Sequence, residues 1–439
     1  MNHPQNNESY HGENVTSDPP TVQIEFGSCR IVDDGSNNSN ETENSDSWSV
    51  QPWHHAFYHT TTSVLGVTAL LVLPSAYAYL GWAGGTILLV VSTLVSYYSG
   101  SLIICLQKPE HRTYSDIANS VMENPRFAAI YIRPLQGLLF CQITIISTLI
   151  TGQSMQSIAN LAGESMIPQY GWVLVAGAVM FALALIPSMA QLWQVSLVGT
   201  ITAILGAIFL TIGTGLAISQ GSSENASYGR PPPASDNVDP NFDFAMGVLD
   251  AFGILAFAYG GHAVLPDVQA SLHDHDAEDS RLAMMKGLNA AYFIIFPAYV
   301  LITSVGYAAF GVDVSSSLLD NLQNHVSDGF VIFLYILVIM NGIALGQVYV
   351  QAGFTLMNDI FPSLGDSYNG RYNFKEVVAR FTLVGFCTFV AIAIPFFGYL
   401  SALVGAICFT PLTVSVGTRP GPPAAWCRFI LTRLFRPSL

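Results

Sequence analysis

Two ionisable side chains sit within one long apolar run of this chain, Asp250 in its first third and His262 close to its end. An ionisable group at membrane depth is costly and marks a functional position by default. A carboxyl at Asp250 could hold and release a proton, and an imidazole at His262 could titrate near neutral pH. Each also has a plainer reading. Asp250 could be an interfacial residue in contact with water, and His262 a hydrogen-bonded structural histidine. The same run reads Ala256-Phe257-Ala258-Tyr259-Gly260-Gly261-His262-Ala263-Val264-Leu265-Pro266. A Gly-Gly pair followed by Pro makes it the best candidate in the chain for an unwound helix. A second run, Ser63 to Pro74, ends on a proline that lacks the N–H donor and disfavours helical geometry at Leu73. Broken helices at membrane depth are tolerated where they line a cavity. There, half-helix N-termini can hold a carboxylate, and freed carbonyls can hold cations.

The elements that carry these residues follow from composition. The chain has 439 residues, of which 51% are hydrophobic and 10% charged. A soluble domain carries roughly 25% charged residues, so the chain reads as an all-α integral membrane protein. Its net charge of -14 argues against nucleic-acid partners, which need basic patches. Six cysteines, four of them in or beside apolar runs, do not read as a disulfide framework. No CxxC pair or His-Glu helix motif offers a metal site, and no nucleophile–base set suggests an enzyme.

Residues 1–52 are rich in Asn, Ser, Asp and Glu, with Arg30 as the single basic residue, and are expected to be a disordered acidic tail. Nine full spans follow, near Tyr58–Leu80, Trp82–Leu106, Pro134–Leu161, Tyr170–Pro187, Val195–Ser219, Ala245–Leu265, Leu288–Gly311, Phe330–Leu356 and Val377–Tyr399. A tenth, marginal in length, runs from Leu400 to Leu412 and gives way to a basic tail, 413–439. Lys108, Arg112, Arg126 and Arg133 lie between spans two and three, Arg281 and Lys286 between six and seven, and Arg371, Lys375 and Arg380 between eight and nine. The alternate loops hold Arg230 alone. The positive-inside rule therefore puts the N-terminus in the cytoplasm and the Gln220–Asp243 loop, with its sequon at Asn225, outside. The charged loop with His273, Asp274, His275 and Asp276 reads as solvated rather than metal-binding. Asp267 is expected to cap or pair at the cytoplasmic end of span six, and Gln153 and Asn341 to hydrogen-bond between helices. Interrupted spans one and six occupy corresponding places in two five-helix halves, the pattern of an inverted-repeat secondary transporter.

Several ordered segments carry a family resemblance. They are His59-Thr60-Thr61-Thr62-Ser63, then Ala69 to Ala76, Leu80-Gly81-Trp82-Ala83-Gly84-Gly85, and Tyr259-Gly260 with Leu265-Pro266-Asp267-Val268-Gln269-Ala270-Ser271. Met284 to Leu288, Gly306 to Gly311, Asn358-Asp359, Ile394 to Gly398 and Phe409 to Leu412 continue the match. From Trp53 to Leu412 the chain resembles the amino acid/auxin permeases, most closely their plant-type GABA (γ-aminobutyrate) and proline branch. The resemblance implies a LeuT-like fold with broken helices 1 and 6, about nine or ten membrane helices in this chain, and a transporter domain over 53–412. Family members usually have eleven spans, and the sequence after Leu412 no longer looks like theirs.

The resemblance further implies proton-coupled symport of a neutral amino acid, with no cofactor beyond the proton gradient. The partners expected are the small-molecule substrate, the proton and the lipid bilayer. Val67, Thr68, Ala69 and Leu70 would offer backbone N–H groups to the substrate carboxylate. Tyr259, Gly260 and Gly261 would form the facing wall, with carbonyls for the ammonium end. Asp250 and His262 are the candidates for proton coupling. A non-transporting amino-acid sensor and an inactive truncated isoform are the alternatives. The plasma membrane is the expected location, with a vacuolar or other internal membrane as the alternative.

Overall fold

In hydrocarbon a backbone must satisfy its own hydrogen bonds, so apolar runs of this length fold as helices. The computed structural model describes residues 21–25, 28–32 and 52–409, apart from 109, 112, 123–125, 127, 164–165, 187, 234–238, 273–276 and 362–373. The expectations for the 413–439 tail, Arg112, Arg371 and the residues His273 to Asp276 fall outside the described residues.

The helices are α1 Trp53–Val64, α2 Val67–Leu106, α3 Tyr114–Met122, α4 Arg133–Ala162, α5 Gln169–Ala184, α6 Trp193–Ser219, α7 Pro240–Ala258, α8 Leu265–Leu272 and α9 Ala277–Phe310. They continue with α10 Leu318–Leu322, α11 Asp328–Ile360, α12 Phe374–Ala393 and α13 Phe397–Val404. Among the described residues, seven stretches are long and apolar enough to cross a bilayer. They match the nine expected spans once two facts are allowed for. Spans one and two are merged in α2 across Gly81, whose φ of 66° suits glycine. Span four is the 16-residue α5, short for a crossing.

Three boundaries differ from the sequence reading. Pro74 does not interrupt span one; α2 runs through it, and its ring packs against Gly306, where a Cβ would come within 2.7 Å. The interruption lies upstream, at Leu65-Gly66, between α1 and α2. Span nine stops at Ala393 rather than Tyr399, because Ile394-Pro395-Phe396 leaves the helix and α13 begins at Phe397. The acidic tail, expected to be disordered, carries an antiparallel pair, β1 Thr21–Glu25 and β2 Ser28–Val32, with Thr21 opposite Val32 and Glu25 opposite Ser28. Val22, Ile24, Ile31 and Val32 give these short segments a β preference that averaging over the whole tail hides.

The packed interior holds α1 against α9 and α6, α4 along α11, and α7 against α2. Ile87, Leu94 and Val95 of α2 and Phe293 of α9 point outwards, as lipid-facing residues do. Cys141, Cys387 and Cys408 are free thiols, and Cys105 is disulfide-bonded.

Arg380, counted above as a loop cation, lies inside α12 and is fully buried. Its Nη2 is 3.0 Å from Glu376 Oε1 one turn earlier, and its Nε also donates to that oxygen, at 3.2 Å. Nη1 donates to the carbonyls of Ala184 and Ile186 at the end of α5 and to Gln351 Oε1 of α11 at 3.0 Å. The guanidinium also stacks 3.9 Å from the centre of the Phe354 ring. One side chain thus ties α5, α11 and α12 together, using the planar donor fork that lysine lacks. At the ends of α4 and α11 a second pair, Arg133 with Asp359 at 2.8 Å, joins those helices.

Replacing Arg380 with Met strips Glu376 of its guanidinium partner in a dry site and should destabilise the protein by about 3–5 kcal/mol. The double variant Arg380→Met/Glu376→Leu should recover most of that loss. Thermal melts of the detergent-purified proteins measure both.

Candidate functional site

The two interruptions face each other. α1 ends at Val64, Leu65 and Gly66 are non-helical, and α2 starts at Val67. α7 ends at Ala258, Tyr259 and Gly260 leave the helix, a 3-10 turn covers Gly261–Val264, and α8 follows. Neither Gly260 nor Gly261 needs a positive φ. Gly261 is required for closeness instead, since a Cβ there would sit 2.4 Å from Val64 Cγ2. The glycine lets the second break pack against the end of α1.

Breaking a helix frees donors on one side and acceptors on the other. On the donor side, Val67 N–H is held by Asn341 Oδ1 of α11 at 2.7 Å, and Asn341 Nδ2 donates to Gly199 O of α6 at 3.0 Å. Asn341 thus makes the interhelical bonds expected of it. The Ala69 and Leu70 N–H groups turn back to Gly66 O, at 2.9 and 3.3 Å. Among the described residues, the Gly66 and Thr68 N–H groups have no partner, and neither does the buried Thr68 hydroxyl. They stand at the N-terminus of α2, where the helix dipole favours an anion.

On the acceptor side, tyrosines fill the gaps. Tyr299 of α9 places its hydroxyl 2.5 Å from Val64 O and 2.7 Å from Ala258 O. Tyr349 of α11 donates to Ser63 O at 3.3 Å. The Tyr259 carbonyl accepts from Ser96 Oγ of α2, also at 3.3 Å.

Between the breaks lies a narrow cavity of about 10 Å³, room for about one water. It is lined by Ser63, Val64, Gly66, Thr68 and Ala69, with Ile143, Phe257, Leu345 and Tyr349. Of the seven expected binding residues, Thr68 and Ala69 reach it. Val67 and Leu70 face away from it, with their N–H groups already bonded. Span six contributes Phe257 to the wall, whereas Tyr259, Gly260 and Gly261 sit behind it. Among the described residues, no charged side chain lines the cavity.

Tyr259 and His262 belong to a polar network beside the second break. The Tyr259 hydroxyl meets Thr93 Oγ1 at 2.6 Å. Ser96 Oγ contacts the Tyr292 hydroxyl at 2.5 Å. His262 Nε2 lies 2.7 Å from the Ser96 carbonyl, which can only accept, so Nε2 carries the hydrogen. The other ring nitrogen, Nδ1, is buried without a partner and is the one able to take a proton. Asp250 is not brought to this network. It is half-buried on α7, near enough to Tyr79 for an electrostatic interaction. Eight residues separate it from the end of α7, about 12 Å along the axis. Asp267 is buried in the first turns of α8, and its carboxyl oxygens have no hydrogen-bond partner.

The sequence reading missed Phe257, Ser96, Tyr299 and Tyr349. One signal was available. Tyr292 and Tyr299 stand two turns apart on one face of an apolar helix, and a buried phenol needs a partner for its hydroxyl.

Residues 50–416 match the family model described as transmembrane amino acid transporter protein. GABA transporter 1 of Arabidopsis thaliana is 27% identical over 384 residues, covering 82% of this chain and 80% of the relative. Lysine histidine transporter-like 6 of the same plant is 27% identical over 370 residues, with coverage of 82% and 80%. Among solved structures, MhsT in complex with L-phenylalanine aligns with a TM-score of 0.57 at 10% identity, over 83% of this chain and 89% of that one. Mhp1, a nucleobase-cation-symport-1 family transporter with bromovinylhydantoin bound, aligns with a TM-score of 0.53 at 11% identity, over 83% and 76%. These likenesses identify the fold as LeuT-like.

Asn341→Ala should leave the buried Val67 N–H unpaired, at a cost of about 1–3 kcal/mol, while the Gly199 carbonyl keeps its bond from Thr202 Oγ1. Asn341→Asp keeps the acceptor for Val67 and should melt between that variant and wild type.

Proposed function

The chain belongs to the transmembrane amino acid transporter family, and from that premise we propose that it is a proton-coupled symporter of small neutral amino acids of the γ-aminobutyrate or proline class. The observation that carries the reading is the pair of unpartnered N–H groups on Gly66 and Thr68, beside the bare Thr68 hydroxyl. Three donors at a half-helix N-terminus suit a substrate carboxylate. The apolar walls of Ile143, Phe257 and Leu345 suit a short aliphatic body.

The relatives' names point to two kinds of substrate, and the lining supports one of them. No carboxylate lines the cavity among the described residues, so the extra cation of a lysine would be desolvated without a counter-charge.

For the proton, His262 is the better-placed acceptor. Its unpartnered Nδ1 lies in the residue that follows the second break, and its Nε2 bond to Ser96 links that break to α2. Asp250 is the second candidate, remote from the cavity but within the same span. The basic residues between spans support a cytoplasmic N-terminus. In a plasma membrane, the potential and an inward pH gradient would both drive the substrate with its proton inward, the potential contributing about 2.3 kcal/mol per charge per 100 mV.

Uptake of labelled γ-aminobutyrate and proline by transporter-deficient yeast expressing this chain should be saturable, stimulated by external acid and abolished by a protonophore. Uptake indifferent to both would sink the proton coupling. His262→Gln should flatten the pH profile while substrate exchange persists, and Asp250→Asn should have the smaller effect. Unlabelled lysine should compete poorly.

A further inference from the structure

The ends of α1 and α7 pose an unusual electrostatic problem. Each is a helix C-terminus carrying a partial negative charge on its last carbonyls. The two ends converge on one phenol, Tyr299, which is fully buried and reaches Val64 O at 2.5 Å and Ala258 O at 2.7 Å. A phenol has a single hydrogen. It can serve one of the two carbonyls well, or both poorly, so the two helix ends hold more acceptor capacity than Tyr299 can meet. Val64 and the neighbouring Ser63 also line the cavity. Among the described residues, the Ser63 carbonyl is served only by the long 3.3 Å contact from Tyr349.

We propose that Tyr299 is a placeholder for the ammonium group of the substrate. This rests on reading the cavity as the amino acid site. In the empty protein the hydroxyl keeps the two broken ends together. A ligand with several N–H donors displaces it from at least one carbonyl, supplying the hydrogens that a single phenol cannot. The Ser63 carbonyl is a third acceptor on the same edge. Recognition then requires N–H donors and not positive charge alone. Primary and secondary amines qualify, whereas a quaternary ammonium such as that of betaine carries none and is excluded.

The test compares purified wild-type and Tyr299→Phe proteins in thermal melts with methylammonium chloride, tetramethylammonium chloride and sodium chloride at equal ionic strength. Removing the hydroxyl bares both carbonyls in the empty state. Methylammonium should therefore raise the melting temperature of Tyr299→Phe more than that of wild type, while the other two salts affect both proteins alike. Equal responses to methylammonium would overturn the proposal. In uptake competition, the variant should bind an amino acid roughly tenfold more tightly, the scale of one hydrogen bond no longer displaced, and an amine-free acid of the same length unchanged. Parallel shifts of both ligands would reduce Tyr299 to a structural hydroxyl. The melts need no transport, so they decide the role of Tyr299 even if wild type moves no amino acid. Should Tyr299→Phe not fold, infrared difference spectra of wild type replace the melts. Methylammonium must then shift a buried tyrosine C–O band that tetramethylammonium leaves in place, and an unmoved band would overturn the proposal.

Discussion

A helix interrupted inside a bilayer strands backbone N–H and C=O groups where no water can reach them, and this constraint organises the whole molecule. Each stranded group left unmet would cost several kcal/mol. The chain meets the constraint with side chains from elsewhere in the bundle. Asn341 of α11 takes the Val67 N–H, Tyr299 of α9 spans the Val64 and Ala258 carbonyls, Tyr349 of α11 reaches Ser63, and Ser96 of α2 reaches Tyr259. The breaks exist because four residues outside them are held in place. The packing of α2, α9 and α11 around the breaks is the frame that holds those four.

The two sides of the junction are not treated alike. Four of its carbonyls, those of Ser63, Val64, Ala258 and Tyr259, are approached by hydroxyl groups, while among the described residues two N–H groups and one hydroxyl on the α2 side are left open. A purely structural kink would gain by closing both sides. An open donor side next to a small cavity is what a receptor for a carboxylate requires. The second break differs again. Its outer face is closed by Phe257, and its rear is wired through Tyr259, Ser96, Tyr292 and His262 into one buried hydrogen-bonded cluster. The cavity and the buried polar cluster thus fall on opposite sides of the same two turns of chain.

How much of this could be read beforehand depended on the range of the interaction. The Gly260-Gly261 pair marked the second break correctly because the signal and the effect share the same residues. Pro74 misled for the opposite reason. A missing N–H weakens a helix, but Gly306 on a distant helix makes room for the ring, and no local pattern reveals that. The actual break at Leu65-Gly66 has only one glycine to announce it. The site residues fared similarly. Thr68 and Ala69 were legible as the first turn of a half-helix, whereas Phe257 and Tyr299 became significant only when three helices were brought together. Arg380 looked like a loop cation because composition cannot distinguish a charge in water from one encased by carbonyls.

Arg380 also bears on how the chain is made. An arginine well inside an apolar helix resists entry into a membrane, by about 2.5–3.5 kcal/mol on insertion scales when it lies at the centre. Its acceptors are the Ala184 and Ile186 carbonyls, the Gln351 side chain and the Phe354 ring, and all of them precede it in the chain. Glu376 travels on the same helix, one turn ahead. By the time a ribosome releases α12, the surfaces that receive the guanidinium have already been synthesised. The helix can leave the translocon directly into a waiting protein groove without facing lipid alone. Chain order here doubles as assembly order, and the same arginine placed in an early span would have had nothing to dock against.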